Sequence, residues 1–261
     1  MINMKCVAII PARWDSSRFK GKILTRINGK PMLRHVWEKV KKAKEIDDVF
    51  IAVDKERVFR AVEAFGGKAV YTSLDHTSGT DRIAEAAKNL DADIIVNIQA
   101  DEPLVNPAMI DELVQIFQYE PKVQMATLIK RIENIEDISN PNIVKVVTDR
   151  RGYALYFSRS PIPYLRKNGE IWEGEEREPS ITRYFKHIGL YAYTKEFLLS
   201  FASLPTSLLE EDEKLEQLRA LEHGYKIMTK ETRYSTIGVD IPADVERVKA
   251  FLKDENRPFV K

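Results

Sequence analysis

Residues 6–11, Cys-Val-Ala-Ile-Ile-Pro, form an apolar run in which polar residues never alternate with apolar ones. A strand with one wet face alternates; a strand apolar throughout is buried on both faces, as in a parallel sheet packed between helices. The pattern recurs. Val49–Val53, Lys68–Tyr71 and Asp93–Gln99 read as further strands. Pro31–Lys42, Lys55–Phe65, Thr80–Leu90 and a stretch near Pro107–Tyr119 read as helices, with Pro31 in a first turn and Gly66-Gly67 as a stop. Strands alternating with helices call for an α/β fold, a mostly parallel sheet covered by helices on both faces.

The second half is less regular. Val123–Lys130, Val144–Val147, Tyr153–Phe157 and His187–Tyr193 read as strands, with a turn at 149–152. Lys167–Pro179 is polar and glutamate-rich and reads as an exposed loop. Leu208–Glu222 reads as one long helix ending before Gly224, Ile237–Val239 as a short strand meeting Asp240, and Pro242–Leu252 as a closing helix. No composition shift marks a second unit. The expectation is a single α/β domain over residues 1–261, in which about 125–205 contributes a smaller β-rich part.

Composition narrows the function. Among 261 residues, 41 basic side chains nearly balance 40 acidic ones. A net charge of +1 removes the main electrostatic reason to expect nucleic acid or an anionic membrane as partner. The single cysteine, Cys6, lies inside the first apolar run, so neither an intramolecular disulfide nor a zinc cluster is expected. No apolar stretch approaches the ~20 residues of a membrane span, and no signal-peptide profile precedes the first strand. A soluble, cytoplasmic protein is the expectation.

Ligands of open parallel sheets bind beyond the carboxyl ends of the strands. After the first strand, Arg13, Arg18, Lys20 and Lys22 fall within ten residues, with Ser16 and Ser17 between them. Arginine offers planar paired donors to phosphate oxygens and lysine a compact charge, so this loop suits a triphosphate. It contains neither a GxxxxGK[ST] loop nor a GxGxxG turn. Asp101 ends the fourth strand and Asp240 follows the late strand at 237–239. If both ends meet at one cleft they can share Mg2+, though each alone also reads as a turn or capping residue. Ser78 and Asp81 have capping-box spacing, and the same helix start can present backbone N–H groups to a polar ligand edge. His187 and Tyr191 share a strand face, Arg159 follows a strand and can bind a carboxylate, and Glu216 and Gln217 sit on a helix surface or line a cleft.

Taken together, these segments resemble a known family. Ile9–Arg13, Ser16, Arg18, Gly21-Lys22 and Gly29–Met32 are similar to the opening of the 3-deoxy-manno-octulosonate (Kdo) cytidylyltransferases. So are HTSGTDRI (76–83), VNIQADEP (96–103), NPNIVKVV (140–147), YFSRSPIP (156–163), HIGLYAY (187–193), LEQLRAL (215–221) and Gly238–Asp240. The resemblance runs over essentially the whole chain. It implies a Rossmann-like fold whose smaller part serves dimerisation, a homodimer, and an Mg2+-dependent transfer of the CMP unit of CTP to Kdo for lipopolysaccharide synthesis. It implies that Arg13, Ser16, Arg18 and Lys22 hold the triphosphate, with Arg13, Lys22, Asp101 and Asp240 as the catalytic set. Asp101 and Asp240 would hold the metal, while Ser78 and Gly79 read the cytosine. Gln99, Arg159, His187, Tyr191, Glu216 and Gln217, with Asp240, would receive Kdo. Three residues depart from the family pattern: Lys20 in place of proline, Ala100 in place of glycine, and Asp15 in place of a small residue. They are expected to tune nucleotide affinity rather than abolish it. Other acceptors, such as a sialic acid, and a non-catalytic nucleotide-binding role are the alternatives.

Overall fold

A computed structural model describes residues 4–15, 19–167, 170–171 and 183–253. The first half contains strands β1 (Cys6–Ala12), β2 (Arg26–Ile27), β3 (Lys30–Pro31), β4 (Asp48–Val53), β5 (Lys68–Tyr71) and β6 (Ile94–Asn97). Helices α1 (Met32–Val40), α2 (Glu56–Ala64), α3 (Gly79–Ala87) and α4 (Pro107–Tyr119) alternate with them. Then come β7 (Met125–Arg131), α5 (Glu136–Ser139), β8 (Lys145–Thr148), β9 (Ala154–Ser158), β10 (Arg166–Lys167), β11 (Glu170–Ile171) and β12 (Phe185–Thr194). Helices α6 (Lys195–Phe201), α7 (Leu208–Glu213) and α8 (Gln217–Glu222), strand β13 (Ile227–Glu231) and helix α9 (Pro242–Lys253) complete the described chain.

The main sheet runs β13-β7-β12-β6-β1-β4-β5, with β8 and β9 continuing from β12. β6, β1, β4 and β5 are parallel, as are β13 and β7. β12 enters antiparallel between β6 and β7. The uninterrupted apolarity of β1 is explained by its place. Cys6, Ala8, Ile10 and Ala12 face a core that holds α1, α2 and α4, while Val7 and Ile9 face the opposite core with α3, α6 and α8. Both faces are dry, so neither tolerates a polar residue. Burial also pushes the Cys6 thiol up to about 12, which leaves it an inert core side chain. No described helix is long and apolar enough to cross a membrane.

Two expectations are corrected. Leu208–Glu222 is two helices rather than one, broken at Lys214, which takes left-handed dihedrals (φ 52, ψ 47). No glycine or proline marks the break, which hides it from pattern reading. The segment at 237–239 is no sheet strand. Val239 is instead pinned by a 2.9 Å hydrogen bond from its N–H to the Asp101 carbonyl. The structure adds α6 and β13, which the sequence reading omitted. Of the expected loop at 167–179, residues 170–171 pair with 166–167 as a small ribbon, and the rest lies outside the described residues.

Lys214 supplies a stability test. A left-handed residue costs about 1–2 kcal/mol when it carries a Cβ, and glycine removes that cost at some expense of chain entropy. Lys214→Gly is therefore expected to leave stability unchanged or raise it by up to about 1 kcal/mol, whereas the β-branched Lys214→Val should lower it by about 1–2 kcal/mol. Urea denaturation midpoints at constant slope measure both.

Candidate active site

The carboxyl ends of β1 and β6 open onto one cavity of about 260 Å³. Pro11, Arg13, Lys22, Ile23, Thr77, Ser78, Gly79, Arg82, Gln99, Ala100, Asp101 and Asp240 line it. The site therefore lies where β1 is flanked by β4 on one side and β6 on the other, the position at which the order of successive strands reverses across the sheet. Seven of the residues singled out from sequence converge here: Arg13, Lys22, Ser78, Gly79, Gln99, Asp101 and Asp240. Ser16 and Arg18 lie outside the described residues.

The charges within the cavity are ordered. The Lys22 ammonium donates to Asp101 Oδ2 at 2.6 Å and to the Val239 carbonyl at 3.0 Å, and Asp240 Oδ1 lies 3.5 Å away. Lys22 begins a short 3-10 turn after Gly21, whose φ of +70° and close approach to Trp14 leave no room for a Cβ. Asp240 is brought to Asp101 by the segment before it. The Thr236 hydroxyl donates to Glu102, Gly238 packs against the same carboxyl group, and Val239 bonds Asp101. Burial pushes the Glu102 carboxyl up to about 7, against the opposing effect of the Thr236 hydrogen bond. Two carboxylates converging on one cation, with only oxygen donors, fit a hard divalent ion that fills its remaining positions with water and phosphate oxygens. Asp101 and Asp240 are the residues that would hold it.

Arg82 is the main residue the sequence reading passed over. It is 1 % exposed, lines the cavity, donates to the Thr72 hydroxyl at 2.6 Å and sits 3.6 Å from Asp54. Its Nη2 has no hydrogen-bond partner among the described residues, and Arg13 is near enough to disfavour its charge. Nη2 is the atom nearest Asp54, so Arg82 is a buried, cavity-lining arginine held by a long ion pair, a group whose chemistry suits an anion. Its signal was available: an arginine followed directly by Ile83 and Ala84 sits at a core-facing helix position.

A second polar chain leads from the cavity toward β12. Gln99 donates to Asn97 at 3.2 Å, the Tyr193 hydroxyl bonds Asn97 and Thr80, and the Thr80 hydroxyl donates to Glu216. Ser78 accepts from the Asp81 N–H at 3.0 Å as the cap of α3 and also reaches Glu216, so the capping and ligand-facing readings of this turn hold together. Burial raises the pKa of Glu216. The break at Lys214 is what swings Glu216 and the buried Gln217 to this spot. The His187 and Tyr191 rings stand 5.3 Å apart, and Phe157 meets the histidine edge-on at 5.1 Å. The Thr127 hydroxyl bonds the Leu190 carbonyl at 2.8 Å and His187 Nε2 at 3.0 Å. A hydroxyl has one proton, so this arrangement assigns the histidine proton to Nε2. Arg159 does not reach the cavity wall. Its guanidinium donates to the carbonyls of Glu213 (2.6 Å), Pro141 (2.8 Å) and Lys214 (3.4 Å).

The three departures are accommodated. The exposed side chains of Asp15 and Lys20 lie 3.7 Å apart, so the charges they add offset one another. The only non-glycine residues with positive φ among the described residues are Asn28 and Lys214, so Ala100 needs no glycine conformation.

These features define a nucleotidyltransferase: an α/β sheet with a cationic, carboxylate-bearing cavity at its strand ends. Residues 7–227 match the family described as cytidylyltransferase. The chain is 52% identical to the 3-deoxy-manno-octulosonate cytidylyltransferases of Geotalea daltonii and Geotalea uraniireducens, over 96% of its own length and 99% and 100% of theirs. A solved CMP:2-keto-3-deoxy-manno-octonic acid synthetase complexed with CTP superposes with a TM-score of 0.87 at 44% identity, covering 96% of this chain and 99% of that one. This chain belongs to the 3-deoxy-manno-octulosonate cytidylyltransferase family.

His187 yields a pH prediction. Burial pushes its imidazole down to about 3, so it is neutral near pH 7 and offers a hydrogen bond rather than a charge. Its unfolded counterpart takes a proton near 6.5, so the unfolded state binds more protons between those values and stability falls as pH drops from about 6.5 toward 3. His187→Gln should flatten that part of the profile, measured as denaturation midpoints at pH 7 and pH 4.5 for both proteins.

Proposed function

We propose that this protein couples CTP to Kdo, releasing pyrophosphate and CMP-Kdo, and so activates Kdo for lipopolysaccharide assembly in the cytoplasm. The observation that carries the reading is the meeting of Lys22, Asp101 and Asp240 at the wall of a cavity that Arg13 and the buried Arg82 also line. The acceptor is taken from relatives at about half identity over nearly the whole chain. In the reaction, the anomeric 2-hydroxyl oxygen of Kdo forms a bond to the α-phosphorus as the bond to the β-phosphate oxygen breaks. The hydroxyl proton is lost, and pyrophosphate carries away the bonding pair.

Such a transfer needs alignment and charge neutralisation more than covalent help. Arg13, Arg82 and Lys22 bind triphosphate oxygens and offset charge on the departing pyrophosphate, with Ser16 and Arg18 extending the same loop. Ser78 and Gly79 meet the cytosine edge at the start of α3. Asp101 and Asp240 would hold Mg2+, which would supply Lewis-acid polarisation of the phosphate and a lowered pKa for the attacking hydroxyl. Gln99, His187, Tyr191, Glu216 and Gln217 offer Kdo a mixed set of donors and acceptors. Arg159, its guanidinium already fixed by three carbonyls, presents a preorganised positive charge for the acid's carboxylate. Residues 125–205 serve a homodimer interface, a reading supported by exposed apolar side chains at Ile135, Leu155 and Tyr164.

Pyrophosphate release from CTP and Mg2+, with Kdo and N-acetylneuraminate as parallel acceptors, is the direct test. Release with Kdo alone is expected, and release with N-acetylneuraminate alone would move the acceptor assignment. Asp101→Asn and Asp240→Asn should each lower kcat by about 10²–10³, the scale on which lost transition-state charge stabilisation is felt, while CTP affinity changes far less. Wild-type turnover in either variant removes that residue from the metal site. Single-turnover kinetics and nucleotide titration separate the two effects.

A further inference from the structure

We propose that Lys22 is a counter-cation shared by Asp101 and Asp240 in the nucleotide-free protein, and that it must leave them before a divalent metal can bind there. Metal binding would then wait on CTP. The inference rests on the reading of these two carboxylates as metal ligands, and it concerns the order of events rather than the site itself.

The geometry is specific. One ammonium lies within 4 Å of both carboxylates and also bonds the Val239 carbonyl, so it occupies the place that brings the two acids together. A dication at the same oxygens would stand beside a positive charge that is only 12 % exposed, where solvent screens poorly. The two cations therefore exclude each other. Nucleotide offers the lysine another berth, because phosphate oxygens between Arg13 and Arg82 would lie in the same cavity.

Only the side chain is free to make that exchange. The Gly21 N–H bonds the Trp14 carbonyl at 3.0 Å, the Gly21 Cα packs against the Trp14 ring, and Thr25 closes the turn onto the Lys22 carbonyl. The backbone that carries the two carboxylates is held independently of the lysine. Val239 bonds Asp101, and the backbone N–H groups of Asp240 and Ile241 bond Asp244 at 3.0 and 3.1 Å. Removing the ammonium takes away the positive charge that lies within 4 Å of both acids, and with it the repulsion a dication would meet there.

The test titrates Mn2+ into nucleotide-free protein and follows the spin-resonance signal of free Mn2+. Lys22→Met is expected to bind Mn2+ at least about tenfold more tightly than wild type, the scale of one unfavourable charge pair near a protein surface. Lys22→Met/Asp101→Asn should lose that gain. Lys22→Gln repeats the comparison in case Lys22→Met fails to fold, and wild type gives an independent reading: Mn2+ alone should leave its melting temperature unchanged, and Mn2+ with a non-hydrolysable CTP analogue should raise it above the analogue alone. Equal Mn2+ affinity in Lys22→Met, Lys22→Gln and wild type overturns the proposal. If that occurs while Mn2+ in the ternary complex still depends on Asp101 and Asp240, the metal site stands and only the counter-cation role falls. Indifference of the ternary complex to both Asp→Asn changes would instead remove the metal site.

Discussion

Burial of β1 on both faces is the constraint from which the rest of this architecture follows. A strand with dry neighbours above, below and on either edge can carry no chemistry along its length. Polar and charged groups must be placed where the strand leaves the core, and the chain does so at Arg13, immediately after Ala12. β6, the parallel neighbour, leaves the core at the same level and delivers Gln99 and Asp101. The helices that seal the two faces supply the third element, because α3 starts at Gly79 with its N–H groups directed at the same opening.

Within that opening the charges are arranged by sign. Arginines and the cap of α3 form one wall, suited to a polyanion, and two aspartates form the other, suited to a cation. Lys22 belongs to both, since its long stem lets a single charge answer either wall. The segment from Thr236 to Asp240 closes the arrangement from the far end of the chain. It is held not by a sheet ladder but by contacts to Asp101 and Glu102, the residues whose chemistry it completes.

The region expected to receive the sugar acid has a different character. Its carboxyl group at Glu216 and its imidazole at His187 are half-buried, and desolvation disfavours charge on both. A polyhydroxylated acid needs directional donors and acceptors more than net charge, and the chain of hydrogen bonds from Gln99 through Asn97, Tyr193 and Thr80 to Glu216 ties this region to the nucleotide end. Arg159, locked by backbone carbonyls, keeps a permanent charge nearby without a rotamer search.

Sequence alone determined the elements whose pattern is local. The apolar runs of β1, β4, β5 and β6 and the amphipathic helices between them were readable because burial imposes its period on each segment separately. Arg13, Lys22 and Asp101 were readable as candidates because strand ends in such a sheet are where ligands go, whereas Asp240 was singled out on a strand that the structure does not form. Three things were decided only by tertiary structure. The break at Lys214 carries no glycine or proline, so only the structure, in which Glu216 meets Thr80, reveals it. Arg82 looked like any charged helix residue until its burial beside Asp54 and the cavity was visible. The meeting of Lys22 with Asp101 and Asp240 joins residues 79 and 218 positions apart in the chain. Sequence periodicity carries information over a few turns or a single strand, whereas a shared cation between distant carboxylates depends on how the whole sheet and its last loop come together.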